Sequence, residues 1–134
     1  MTHRPSKAVR ASDCFADMQE AIRLIAEYLR GMTVEQFVAD ALDAHKTRDS
    51  VIKNMIDIGE AANNIMQLAP EIEQGNPAMW RHLRGAYDMR IKLTHGYRSV
   101  NDRIVWNTAT DYLPELSMCI AAEQSPAGVC ERSP

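Results

Sequence analysis

The sequence predicts an all-α fold, a bundle of four to five helices. Apolar residues recur at alternating steps of three and four, no segment holds a run of period-two alternation, and proline or glycine falls between the periodic segments. At 134 residues, 46% hydrophobic and 25% charged, the chain is of the size and composition of one soluble globular domain. A chain of this size buries roughly two-thirds of its unfolded surface, enough for a self-sufficient core.

Residues 1–11 read as a flexible N-terminal arm, with Ser12 as the cap of the first helix. Phe15, Met18, Ile22, Ile25 and Leu29 form its apolar stripe, and Gly31 is placed to end it. Thr33 with Gln36 predicts a capping box opening a second helix that runs to about Ala44. Val51, Met55, Ile58, Ala62 and Ile65 repeat the rhythm in a third helix, stopped by Pro70. Its stretch IGEAANNI holds Gly59, Ala61 and Ala62, small enough to let another backbone come close. Glu60 beside them reads as a surface or paired carboxylate. APEIEQGNP reads as a loop, and Asn76–Pro77 as the cap and first residue of a fourth helix. That helix carries Trp80, Leu83 and Tyr87 and runs to His95, where Gly96 is expected to permit a left-handed exit. A fifth begins near Asn101 with Ile104, Val105, Thr108, Tyr112, Leu116 and Ile120 inward, kinked or restarted at Pro114. The predicted organisation is thus an arm (1–11), a helical domain (12–122) and a disordered tail (123–134) rich in turn formers. Trp80 and Trp106 are expected to anchor the core.

Composition also excludes. The apolar runs are too short to span a bilayer, and the basic N-terminus lacks the apolar core of a secretory signal. Cys14, Cys119 and Cys130 are odd in number and lack CxxC spacing, which predicts reduced thiols and a cytoplasmic protein. His3, His45, His82 and His95 form no HxxxH pair, so no metal site or cofactor is expected. The net charge of −3 is unevenly spread. Arg81, Arg84, Arg90, Lys92 and Arg98 stand against Asp88 alone, so residues 81–98 carry +4 and the remainder −7. Such a stripe is either a solvated helix face or the seat of an anionic ligand such as phosphate.

The chemistry lies in MRIKLTHGYRS, residues 89–99. Arg90 and His95 are five apart, so on a straight helix they differ by about 140° in direction. They meet at one target only if the helix loosens before Gly96 or if two chains share the site. Thr94 lies on the face of Arg90, and Tyr97 could fold back past the glycine. The residue types suit cleavage of an RNA phosphodiester. Histidine exchanges protons near neutral pH, and the forked, permanently charged guanidinium stabilises charge growing on the phosphorane. The 2′-hydroxyl is itself the nucleophile, so neither metal nor covalent residue is required. Taken alone, an Arg–His–Tyr set at a helix end reads as capping and packing.

The wider match reverses that reading. RIKLTHGY resembles the R-x4-H-x-Y signature of the HEPN superfamily and, more narrowly, of the HepT-like toxins of HepT–MntA toxin–antitoxin pairs. MTVEQFVAD, VIKNMIDIGEAANNI and SVNDRIVWNTATDYLPEL resemble the family's flanking segments in the same order, from Phe15 to Ile120. The resemblance implies a helical homodimer with a metal-independent endoribonuclease cleft at its interface, in which Arg90 and His95 are the catalytic pair. It implies that Tyr97 accepts AMP from a partner MntA-like nucleotidyltransferase, the antitoxin, and that the substrate is RNA, transfer RNA among them. Arg84, Lys92 and Arg98 are candidate RNA-backbone contacts or ordinary surface charges. Ile91 stands where the family pattern is commonly polar, and Trp80 lies about one helical turn further from Arg90 than usual. Ile91 favours a rival reading, a non-catalytic helical module that pairs with a nucleotidyltransferase. A purely structural dimer is disfavoured by the basic stripe.

Overall fold

In the computed structural model, which describes residues 4–96 and 100–124, the chain begins with the stripe expected of it. Helix α1 (Lys7–Leu29) buries Phe15, Met18, Ile22, Ile25 and Leu29, but it starts before Ser12. Ser6 is the cap, its hydroxyl accepting from Val9 N–H at 3.2 Å. Ala11, also buried, extends the stripe one step upstream and draws that turn onto the core. The helix ends at Arg30, and Gly31 follows with φ +73°, the left-handed conformation that glycine adopts without a Cβ penalty.

Thr33 and Gln36 form both halves of the capping box, yet α2 (Val34–Phe37) is a single turn and does not reach Ala44. Helix α3 (Leu42–Leu68) takes over the segment predicted to belong to it. Arg48 explains the break. Its guanidinium, buried in the fold, donates to the carbonyl oxygens of Phe37 and Ala39 at 2.6 and 2.9 Å, replacing bonds a continued helix would have made. Phe37 is fully buried with its ring centroid 5.4 Å from that of the half-buried Trp106. Sequence periodicity does not report such a long-range tie.

Helix α3 is the centre of the bundle, with α1 on one side and α5 on another. Val51, Met55, Ile58, Ala62 and Ile65 are buried as expected. The segment read as a loop contains a further turn, α4 (Ile72–Gly75). Asn76 then caps α5 (Pro77–His95), accepting from Met79 N–H at 3.2 Å with Pro77 at the first helical position. At Gly59 the helices α3 and α5 approach too closely for a side chain. A Cβ placed there would lie 2.3 Å from Arg90 Cβ and 2.7 Å from the Ala86 carbonyl oxygen.

Asn101 caps α6 (Asp102–Asn107), accepting from Arg103 and Ile104 N–H. A π turn (Thr108–Tyr112) joins α6 to α7 (Leu113–Glu123) in one continuous helical run. The expected disturbance at Pro114 takes this form. Proline has no N–H to give and crowds the carbonyl four residues back, and the turn widens so that Leu113 N–H bonds to Thr108 O. Ile104, expected inward, is 62% exposed, and Val105 takes the core position. This last run packs on α1, α5 and α2 and completes an all-α bundle of four long units. Among the described residues there is no strand, and no helix is long and apolar enough to cross a membrane.

The thiols differ from expectation. Cys14 is free, whereas Cys119, buried on α7, is disulfide-bonded. Odd count and absent CxxC spacing report nothing about distance in the fold. Cys130 and the rest of the tail from Ser125 lie outside the described residues.

Candidate active site

Helix α5 places the motif. Its last turn is closed by Gly96 N–H donating to Lys92 O at 2.9 Å, and Thr94 Oγ1 donates to Arg90 O at 3.0 Å. Gly96 has φ −124°, so the left-handed exit expected there does not occur. Its amide still reaches the carbonyl four back, and no positive φ is needed to leave the helix.

Arg90 and His95 lie on different sides of α5, as their 140° offset requires. Arg90 is half-buried against Gly59, its Nη2 4.0 Å from Glu60 Oε2 on α3. Its Nε is buried and has no hydrogen-bond partner. Glu60 is exposed, a surface partner rather than a buried acid. A pair at this separation, with the carboxylate open to water, holds the guanidinium only weakly. The arginine is thus anchored through its stem while its terminal nitrogens stay near the surface.

His95 is exposed and lines a groove of about 990 Å³ between α5 and the start of the last helical run. Lys92 lines the same groove, and so does Ile91, which is 36% exposed. Arg90 does not line it, and neither does Arg84, which is exposed on α5. Within one chain the groove therefore gathers His95 and Lys92 and leaves Arg90 around the helix. Tyr97 and Arg98 lie outside the described residues. Among the described residues no three His, Cys, Asp or Glu side chains converge to hold a metal ion.

The groove also brings in residues that the motif did not single out. Asp88, Thr108 and Tyr112 line it, and Tyr112 Oη donates to the His82 carbonyl at 3.0 Å across to α5. Asp88 was findable, since 88, 92 and 95 follow helical spacing. Thr108 and Tyr112 were not, because the π turn sets where they point. Chemically, an exposed imidazole beside an ammonium on an apolar groove can bind a phosphate and move a proton.

The chain is similar to proteins described as ribonucleases. The family model described as "Ribonuclease HepT-like" matches residues 18–122. "Probable ribonuclease HepT" of Thermococcus cleftensis is 37% identical over 108 residues, covering 78% of this chain and 86% of that protein. "Putative RNase TTE0752" of Caldanaerobacter subterraneus is 36% identical over 99 residues, 74% of this chain and 80% of that one. "Putative RNase MJ0127" of Methanocaldococcus jannaschii is 31% identical over 112 residues, 82% of each. No solved structure gives a significant match. By the extent of these matches, the chain belongs to the HepT-like ribonuclease family.

Proposed function

We propose that this protein is the toxin of a toxin–antitoxin pair, a metal-independent endoribonuclease whose site is shared between two copies of the chain. The observation that carries the proposal is the separation of Arg90 from His95 around α5, with both reaching the surface near the same helix end. A two-fold axis beside that end supplies each site with groups from both subunits, as isologous interfaces do. His95 takes the proton from the 2′-hydroxyl, whose oxygen attacks phosphorus. His95 of the partner subunit gives a proton to the departing 5′-oxygen. The products are a 2′,3′-cyclic phosphate and a free 5′-hydroxyl. Arg90 meets the charge that grows on the non-bridging oxygens, where a fixed guanidinium is most effective. Lys92, Arg84 and Arg98 serve as backbone contacts to an RNA strand, transfer RNA being one substrate class.

Silencing belongs to the same reading. A partner nucleotidyltransferase transfers AMP from ATP to the Tyr97 hydroxyl, releasing pyrophosphate. The adduct sets a phosphodiester charge and an adenosine beside His95, and like charge and bulk both oppose RNA binding.

Purified wild type and His95→Ala, incubated with total RNA in EDTA, test the proposal. Cleavage by wild type to 2′,3′-cyclic ends, lost on the order of 10²–10⁴-fold in the variant, is the expected result. Equal cleavage by both, or cleavage only with added magnesium, overturns it. A second reading, a non-catalytic module that only presents a surface to the nucleotidyltransferase, draws on Ile91. Its apolar side chain, exposed on the groove, can neither donate to a phosphate nor orient the histidine. Binding of the transferase without any cleavage of RNA would establish it.

A further inference from the structure

Asp88 is the one anion between Arg81 and Arg98. It shares a side of α5 with Lys92 and His95, the three lying within about 60° of one another around the axis. All three line the groove. Arg84 and Lys92 each stand four residues from it, the spacing of a helical ion pair, yet Asp88 makes no ion pair or hydrogen bond among the described residues. An unpaired carboxylate beside a phosphate site opposes the phosphate, so its presence points to a different part of the ligand.

We propose that the groove seats the base of the nucleotide whose 2′-hydroxyl attacks, and that Asp88 reads this base and favours guanine. The inference rests on the ribonuclease reading above and names the substrate it selects. Met89, Leu93, Ile104 and Val105 give the groove apolar walls for the faces of a base. Single-stranded RNA is read in this way, with base faces against side chains and polar edges hydrogen-bonded. Seven residues separate Asp88 from His95, about 10 Å along the helix, comparable to the reach from a phosphate to the Watson–Crick edge of a purine on the same nucleotide. Lys92 lies between them, on the phosphate side. An ionised carboxylate only accepts hydrogen bonds, through two oxygens side by side. Guanine answers with two adjacent donors, N1–H and the N2 amino group. Adenine and cytosine set a ring-nitrogen acceptor beside their amino group, and uracil flanks its one N–H with two carbonyls.

The test is calorimetric titration of the full chain with 3′-GMP, 3′-AMP, 3′-CMP and 3′-UMP, in wild type, Asp88→Asn, Asp88→Ser and His95→Ala. Wild type is expected to bind 3′-GMP on the order of tenfold more tightly than the others, the size of one bidentate base contact. Both Asp88 variants should lose that preference and keep the wild-type urea midpoint, whereas His95→Ala should retain the preference. Equal affinities in wild type, or a preference that survives in both Asp88 variants, overturn the proposal. So does a change in sedimentation mass in the Asp88 variants with no nucleotide bound by wild type, which would make the groove a contact between chains. Total-RNA cleavage measured alongside separates the two readings. Cleavage without base preference removes this inference alone, and preference without cleavage removes the ribonuclease alone.

Discussion

Arg90 lies directly over Gly59: a methyl group on the glycine would sit 2.3 Å from the arginine Cβ. The catalytic candidate on α5 is thus held at its height by an absence of side chain on α3. Gly59→Ala must force the helices apart, because the Ala86 carbonyl oxygen at 2.7 Å is backbone and cannot swing away. Overpacking of this kind costs typically 1–3 kcal/mol, and chemical denaturation should read a loss of about 2 kcal/mol. Gly75→Ala, where an added Cβ meets nothing within 4 Å, should be neutral or slightly stabilising.

Substitution of Arg90 separates charge from shape. Arg90→Ala should reduce RNA cleavage on the order of 10²–10³-fold, the scale of losing one fixed donor to a transition-state oxyanion. Arg90→Lys keeps the charge but loses the fork and should recover only a small part of that. Stability should hold or rise in Arg90→Met, since the buried Nε, which has no partner, is removed with the guanidinium. Single-turnover rates and denaturation midpoints measured on the same preparations check both halves.

Tyr97→Phe should resist the nucleotidyltransferase while still cutting RNA. It keeps the ring and loses the acceptor oxygen. Intact-mass spectrometry after incubation with partner and ATP should show an AMP-sized increment on wild type and none on the variant. An equal increment on both would place the modification elsewhere.

Arg48→Met should destabilise by about 3 kcal/mol, in the range for breaking a buried charged network by removing one member. It leaves the Phe37 carbonyl without its 2.6 Å donor and Asp102 Oδ2 without the Nε 3.5 Å away. Asp102 opens α6, so the loss should loosen the start of the last helical run as well as the α2–α3 corner. Hydrogen exchange should report faster amide exchange at both places.

Asp40 supplies a pH signature. The His45 ring bonds to it at 2.9 Å through Nε2, while Nδ1 faces Arg48 Nη2 at 2.7 Å. A guanidinium only donates, so Nδ1 accepts and Nε2–H is the donor to the carboxylate. That hydrogen bond from the His45 ring holds the Asp40 carboxyl below its ordinary value. A depressed carboxyl contributes stability that is present above the unfolded value and lost as pH falls through the folded one. The carboxyl carbon of Asp40 should titrate below the usual aspartate range by NMR and return to it in His45→Ala.

Much of the fold was legible because periodicity and caps are local. The stripe from Phe15 to Leu29, the Thr33–Gln36 box, the Asn76–Pro77 start and the helix start near Asn101 all appear where the residues place them. What failed depends on distance. The break after Phe37 is made by Arg48, eleven residues on. Ser6 and Ser12 offer the same cap chemistry, and only the burial of Ala11 against the core decides between them. Of the site, the spacing of Arg90 and His95 foretold their divergence around α5. The groove was invisible, because it is assembled from α3, α5 and the start of the last run, with Thr108 and Tyr112 aimed into it by the π turn.

That π turn has a consequence for the chain's tolerance of change. The buried positions of the last run are Val105, Ala109, Leu113, Leu116 and Ile120. On a uniform α-helix at 100° per residue this series would wander by as much as about 80° around the axis. Five residues in the wider turn, Thr108–Tyr112, rotate less per step and bring the later three back under the earlier two. The run therefore works as a vernier, with its two scales offset by one widened turn. Tightening these five residues to a regular α-helix at unchanged length would rotate Leu113, Leu116 and Ile120 away from the earlier pair, whereas deleting one of the five closes the helix with those three still facing inward. The stretch thus holds one residue more than a regular helix needs, and it bears the loss of that residue better than the gain of another.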